Sequence, residues 1–129
     1  MITGHGDDMY KYSEPIKYNF SSNVFGKIDL SRLKLHLKTR LDSIGSYPEP
    51  KPYTLEKKLS DKLSISTSSI CVTSGATEAI YLIAQAYRES HSAVLIPTFS
   101  EYEDACRING HRISYIHSLD EIEDDMQLV

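Results

Sequence analysis

Apolar positions along this chain of 129 residues change rhythm twice, and each rhythm predicts a different kind of element. Residues 1–26 are rich in Gly, Ser, Asn and Tyr and keep no sustained period, with Lys17–Phe20 the one candidate for a short strand. They read as an arm. Over residues 29–44 the period becomes helical: Leu30, Leu33, Leu37, Leu41 and Ile44 recur at steps of three or four and make a single apolar stripe. Asp29 is the expected N-cap, and Gly45 sits where a glycine usually ends a helix. Pro48, Pro50 and Pro52 follow within YPEPKPY, where they exclude both helix and ladder pairing and leave a stiff extended connector.

From residue 53 helical and strand-like runs alternate. Thr54 is the expected cap of a helix carrying Leu55, Leu59 and Leu63. SSICVTS (68–74) reads as a short strand. Residues 76–89 read as a helix with Ala76, Ala79, Ile80, Ile83, Ala84 and Tyr87 inward. AVLIP (93–97) is continuously apolar and closed by proline, as in a strand buried on both faces. A helix over Glu101–Asn109 ends at Gly110, and HRISYIH then alternates, with Ile113, Tyr115 and His117 on its expected inner face. Ser118 is placed to cap the short acidic helix LDEIEDD, and MQLV opens another apolar run. The rhythm is that of crossover units on a mostly parallel sheet. Because MQLV is shorter than a usual strand, the sheet is expected to be incomplete and the chain truncated. The expected architecture is therefore α/β: an N-terminal arm, helix and connector over 1–52, then the beginning of a three-layer αβα domain over 53–129.

Composition narrows the class. Fourteen basic residues stand against eighteen acidic ones, for a net charge of −4. Their scatter argues against a nucleic-acid partner. No apolar run approaches the roughly 20 residues of a membrane span, and the N-terminus lacks a leader-like apolar segment. Cys71 and Cys106 suit a reducing cytoplasm, as buried small hydrophobes.

The chemistry gathers around VTSGATEAI (72–80). A helix opening at the carboxyl end of a strand presents unpaired N–H groups and a partial positive charge. Gly75 lets a ligand approach the backbone, and Ser74 and Thr77 add hydroxyls, so the stretch suits a phosphate; helix capping by Ser74 is the plainer alternative. It matches neither a Walker loop nor a dinucleotide fingerprint. After the next strand, Phe99 lies at the sheet edge where ligands of open α/β sheets bind. An aromatic ring there can cover a flat ligand; an ordinary core position is the alternative.

In order and spacing, NFSSN, YPEP, SGATEAIYLIAQAY and PTFSEYEDA resemble the N-terminal third of the class I and II aminotransferases that use pyridoxal 5'-phosphate (PLP). Within that family the similarity is greatest to histidinol-phosphate aminotransferases and threonine-phosphate decarboxylases. The resemblance implies that Gly75, Ala76 and Thr77 form the cofactor-phosphate cup, that Phe99 stacks on the pyridine ring, and that Tyr47 reaches the phosphate of a neighbouring subunit in a homodimer. It also implies that Asn23 lies near a small amino-acid substrate. GHGDDMY is similar to the His-Gly-Gly start of the decarboxylase branch, which would put His5 at a substrate phosphate. Two features depart from the family: Asn23 precedes Val24 instead of proline, and Asp7 and Asp8 would repel a phosphate. A metal site built from His5, Asp7 and Asp8 is the weaker reading of those acids, and no metal is expected. The lysine that bonds the cofactor, the acid that protonates the pyridine nitrogen and the arginine that holds the substrate carboxylate belong to later family segments. No lysine here sits in a matching context, so no catalytic residue is assigned and the chain alone is expected to be inactive. The expected function is the N-terminal part of a PLP-dependent aminotransferase, with a PLP-dependent lyase or a non-catalytic phospho-ligand module as alternatives.

Overall fold

The computed structural model describes residues 9–21, 23 and 28–129. The chain divides into two compact units, Asn23–Val72 and the combination of Met1–Ser22 with Thr73–Val129. Each is described by itself.

In the 23–72 unit, helix α1 spans Ser31–Lys38 and gives way to a 3-10 turn at Leu41–Gly45, where one long helix was expected. The Asp29 side chain accepts the Ser31 amide at 2.9 Å and also the Ser31 hydroxyl, so it braces the helix entrance from one position before Leu30, the actual N-cap. These two bonds hold the Asp29 carboxyl below its ordinary pKa. Helix α2 spans Tyr53–Leu63. Thr54 lies inside it and does not cap it. Its amide donates to Glu49 at 3.0 Å and its hydroxyl donates to the same carboxylate, so the connector's own acid does the capping. The predicted stripe on 30–44 does form one helical face in part, but it is not buried: exposure runs from 40% at Leu30 to 79% at Ile44.

The other unit carries the sheet. Lys17–Phe20 is not a strand, and Phe20 is almost fully exposed. Residues 68–74, which run from the end of the 23–72 unit into this one, are not a strand either. A 3-10 turn occupies Thr67–Ser69, and Ile70 is extended (φ −120, ψ 129) without a ladder partner among the described residues. β-propensity makes a segment extended, but only a neighbouring strand makes it a strand. Helix α3 spans Ala76–Ala86, strand β1 His91–Leu95, helix α4 Ser100–Ile108 and strand β2 Arg112–Ile116. The two strands are parallel, with His91 opposite Arg112 and Leu95 opposite Ile116. On the other side of β1, Leu128 makes a parallel bridge to Ser92, so MQLV does begin a further pairing. β1 is buried from His91 to Val94, but Leu95 is 44% exposed. In β2 the buried residue is Ile116, on the face opposite the expected Ile113 and Tyr115. Tyr115 instead turns its hydroxyl to Glu103 of α4, donating at 2.7 Å. Ser118 does cap, through a reciprocal box with Glu121, but the acidic helix is only the 3-10 turn Leu119–Glu121. Cys106 is buried as expected, whereas Cys71 is exposed; both are free thiols.

Ala84, Ala93, Val94, Ala105, Cys106 and Ile116 form the core. Its small side chains let the helices lie close to β1. Polar groups knit the same layer together. Ser92, fully buried, sits 2.6 Å from Nδ1 of His111, and Nε2 of His111 lies 2.8 Å from the Ala84 carbonyl. A carbonyl only accepts, so Nε2 carries the hydrogen and the Ser92 hydroxyl donates to Nδ1. The bond pair ties β1 to the last turn of α3.

The N-terminal end of β1 is fastened differently. The His91 amide donates to Gln127 Oε1 at 2.9 Å, and the amides of Gln127 and Ala93 return bonds of 2.8 Å to His91 and Leu128. Arg112 pairs with Asp125, whose Oδ2 also lies 3.1 Å from His91 Nδ1. Partial desolvation alone would raise the Asp125 pKa, but the hydrogen bonds and charges of His91 and Arg112 together hold it below the usual value. The contribution of this carboxylate is therefore present above the unfolded pKa near ~3.9 and is lost as pH falls through the lower folded one. We expect exchange protection of the Ala93 amide to persist at pH 5 and to drop below about pH 4, with Val94 as internal reference. Asp125→Asn should weaken protection at neutral pH and remove the pH dependence; a variant with the wild-type profile would dissociate Asp125 from this contact.

Candidate functional site: the opening of helix α3

The opening of α3 owes its shape to Gly75. This residue is the N-cap, with φ +92 and ψ 177, a region used almost only by glycine. A Cβ built there meets nothing within 4 Å, so the space over the turn is open. No side chain caps the helix at Gly75, and Gly75, Ala76 and Thr77 are all exposed. Their amides belong to the first turn, where backbone donors have no intrahelical partner. Two nearby bonds hold the turn. The Thr73 hydroxyl donates to the Gly75 carbonyl at 3.0 Å, and the Ser74 amide donates to the Glu78 carboxylate. Ser74 therefore does not cap the helix through its side chain.

Contacts on either side of α3 fix its direction. Ala84, in its last turn, is bound through His111 near the start of β2. Tyr81, closer to its opening, lies within electrostatic reach of Glu101 in the first turn of α4, just past the carboxyl end of β1. The opening of α3 thus points to the carboxyl rim of the sheet, where the candidate site was expected. Partial burial, then the nearby Glu101 carboxylate and the charge of Asp104, raise the Tyr81 pKa. Phe99 belongs to the same rim as the N-cap residue of α4. Its ring is 41% exposed, with Tyr102 set edge-on at 6.4 Å and 88°.

Gly75, Ala76 and Thr77, expected to hold a phosphate, and Phe99 therefore lie in one unit. Asn23 and Tyr47 belong to the other unit, where both are exposed, Tyr47 completely so. His5, Asp7 and Asp8 lie outside the described residues. Among the described residues no three His, Cys, Asp or Glu groups gather as a metal ion would require, and no helix is long and apolar enough to cross a membrane. An apolar groove of about 440 Å³, lined by Ile83, Val94, Tyr102 and Leu128 among others, includes none of the cup residues and not Phe99. It is not the candidate site. Sequence reasoning did not single out Glu78, Tyr81 or Glu101. Glu78 was detectable as an acid in the first turn after a Ser-Gly entrance, whereas the approach of Tyr81 to Glu101 spans two helices and left no local signal.

A helix opening that no side chain caps, and an aromatic N-cap on the helix after the first strand of a parallel sheet, define the class as α/β. Residues 15–128 match the family model described as "Aminotransferase class I and II", and the chain belongs to that family. It is 31% identical to histidinol-phosphate aminotransferase of Moorella thermoacetica over 59% of this chain and 20% of that protein. It is 27% identical to the adenosylcobalamin biosynthesis bifunctional protein CobDQ of Leptospira interrogans over 78% of this chain and 12% of that protein. Among solved structures, L-threonine-O-3-phosphate decarboxylase from Porphyromonas gingivalis matches with a TM-score of 0.76 and 38% identity, over 82% of this chain and 35% of that one. The chain thus spans about a third or less of the length of these relatives.

Proposed function

We propose that this chain supplies the cofactor-phosphate cup and the ring-stacking face of a PLP-dependent aminotransferase acting on an amino acid or amino-phosphate. The observation that carries this reading is the opening of α3. Gly75 holds a glycine-only conformation there, and the exposed first-turn amides lack a side-chain cap. Amides in that arrangement grip an anion with charge-assisted bonds and the helix dipole. The Thr77 hydroxyl would add one more donor. Phe99 would lie against one face of the pyridine ring and limit its tilt.

PLP, when bound, supplies an electron sink for bonds at the substrate α-carbon. This chain's part is binding and orientation. The exposed Tyr47 on its proline-stiffened connector supports a reach to the phosphate of a second subunit, hence a homodimer, and Asn23 and His5 are assigned to the substrate side. Two free thiols support a cytoplasmic location. None of the lysines here sits in the family's cofactor-bonding context, so the chain alone is proposed not to turn over. Likeness to a threonine-phosphate decarboxylase at 38% identity favours a second reading, PLP-dependent decarboxylation of a phosphorylated amino acid.

Equilibrium dialysis against PLP and pyridoxal, with 31P NMR of the PLP phosphate, tests this. The cup should favour PLP by at least about tenfold, since hydrogen bonds to a charged group contribute ~1.5–3 kcal/mol each. Phe99→Ala should weaken both ligands about three- to tenfold, the range of a lost aromatic contact. Borohydride should fix no adduct at a single lysine. Equal affinity for the two ligands would overturn the cup, and a stoichiometric lysine adduct would overturn the assignment of inactivity. Preference for phosphate with no effect of Phe99→Ala would point to a plain phospho-ligand module.

A further inference from the structure

We propose that Glu78 is a positioning residue for the phosphate cup: its carboxylate holds the Ser74 amide and so keeps the first-turn amides of α3 free and correctly turned. The proposal rests on the cofactor-phosphate reading above. Two observations carry it. The bond goes to Ser74, the residue before the N-cap, and not to Gly75, Ala76 or Thr77. Glu78 therefore does not occupy the donors that an anion would need. Second, Gly75 sits at φ +92, one of several conformations open to glycine at little cost, so what keeps it there is its hydrogen-bonded neighbours. The restraints are the Thr73 hydroxyl on the Gly75 carbonyl and the Glu78 carboxylate on the preceding amide. Loss of the second leaves a glycine hinge with one restraint, and the directions of the next amides then spread.

A carboxylate close to a bound phosphate has an opposite effect as well. Its charge repels the anion while its hydrogen bond shapes the turn. The two effects separate by substitution. Glu78→Gln keeps an acceptor of the same reach and removes the charge. Glu78→Ala removes both. Glu78→Asp keeps the charge but is one methylene too short for the same bond. Glu78 is exposed, so these changes leave the core untouched.

The experiment is PLP and pyridoxal binding by the 129-residue chain and its three variants, by equilibrium dialysis. Glu78→Gln should bind PLP at least fivefold more tightly than Glu78→Ala, and Glu78→Asp should bind it more weakly than the wild type. None of the three should differ for pyridoxal, because that ligand does not use the cup. Equal PLP affinity of the Gln and Ala variants, tighter binding by Ala, or the same ratio for pyridoxal would overturn the positioning role. A wild-type chain that does not prefer PLP over pyridoxal would instead overturn the cup itself. The two failures are therefore distinguishable: the first keeps the phosphate preference and the second abolishes it.

Discussion

Gly75→Val is expected to abolish the preference for PLP over pyridoxal and to lower the melting temperature. Glycine at φ +92 and ψ 177 occupies a region closed to side chains, and forcing another residue there costs about 1–3 kcal/mol. The open space around a built Cβ shows that steric collision with neighbours is not the cause. Strain in the backbone is. A substituted chain relieves that strain by rotating the 74–76 peptides, and the amides of the cup rotate with them. Even Gly75→Ala should therefore show the stability loss, about 3–5 °C per kcal/mol in a chain of this size. Val adds bulk over the opening and should remove phosphate-dependent binding. Thermal denaturation and dialysis read the two effects separately. Wild-type stability in Gly75→Ala would refute the backbone account, and wild-type PLP preference in Gly75→Val would refute the cup.

His111→Leu is expected to destabilise the 73–129 part of the chain by about 2–4 kcal/mol, because it orphans a buried hydroxyl and a carbonyl at once. Ser92 has no solvent access, so its hydroxyl finds no water in place of Nδ1. Adding Ser92→Ala should recover part of the loss. Replacing both partners of a buried hydrogen bond with apolar groups is milder than removing one. Chemical denaturation of the two single variants and the double variant closes the cycle. Additive losses would show that Ser92 and His111 contribute independently and that the bond between them does not hold α3 to β1.

Much of the fold was legible because its signals are local. Gly110 at φ +74 ends α4, Ser118 caps its turn, and the apolar run around Ala93 and Val94 is buried in β1. The candidate site was legible for the same reason: Gly75, Ala76, Thr77 and Phe99 each stand at a helix entrance marked by glycine or proline. Errors arose where a second segment decides. Ser68–Ser74 has strand-like residues but no ladder partner among the described residues. Thr54 lost the capping role to Glu49, which folds back from the connector. Ile113 and Tyr115 alternate correctly along β2, yet Ile116 is the residue that packs inward.

By itself the sequence determined the succession of helices and strands, the glycine-opened helix and the family to which the chain belongs. Tertiary structure alone decided which face of β2 is buried and that His111 joins α3 to β1. The division has a physical cause. Periodicity and capping act between residues a few positions apart, whereas burial, cross-strand pairing and buried hydrogen bonds depend on groups brought together only when the chain has folded.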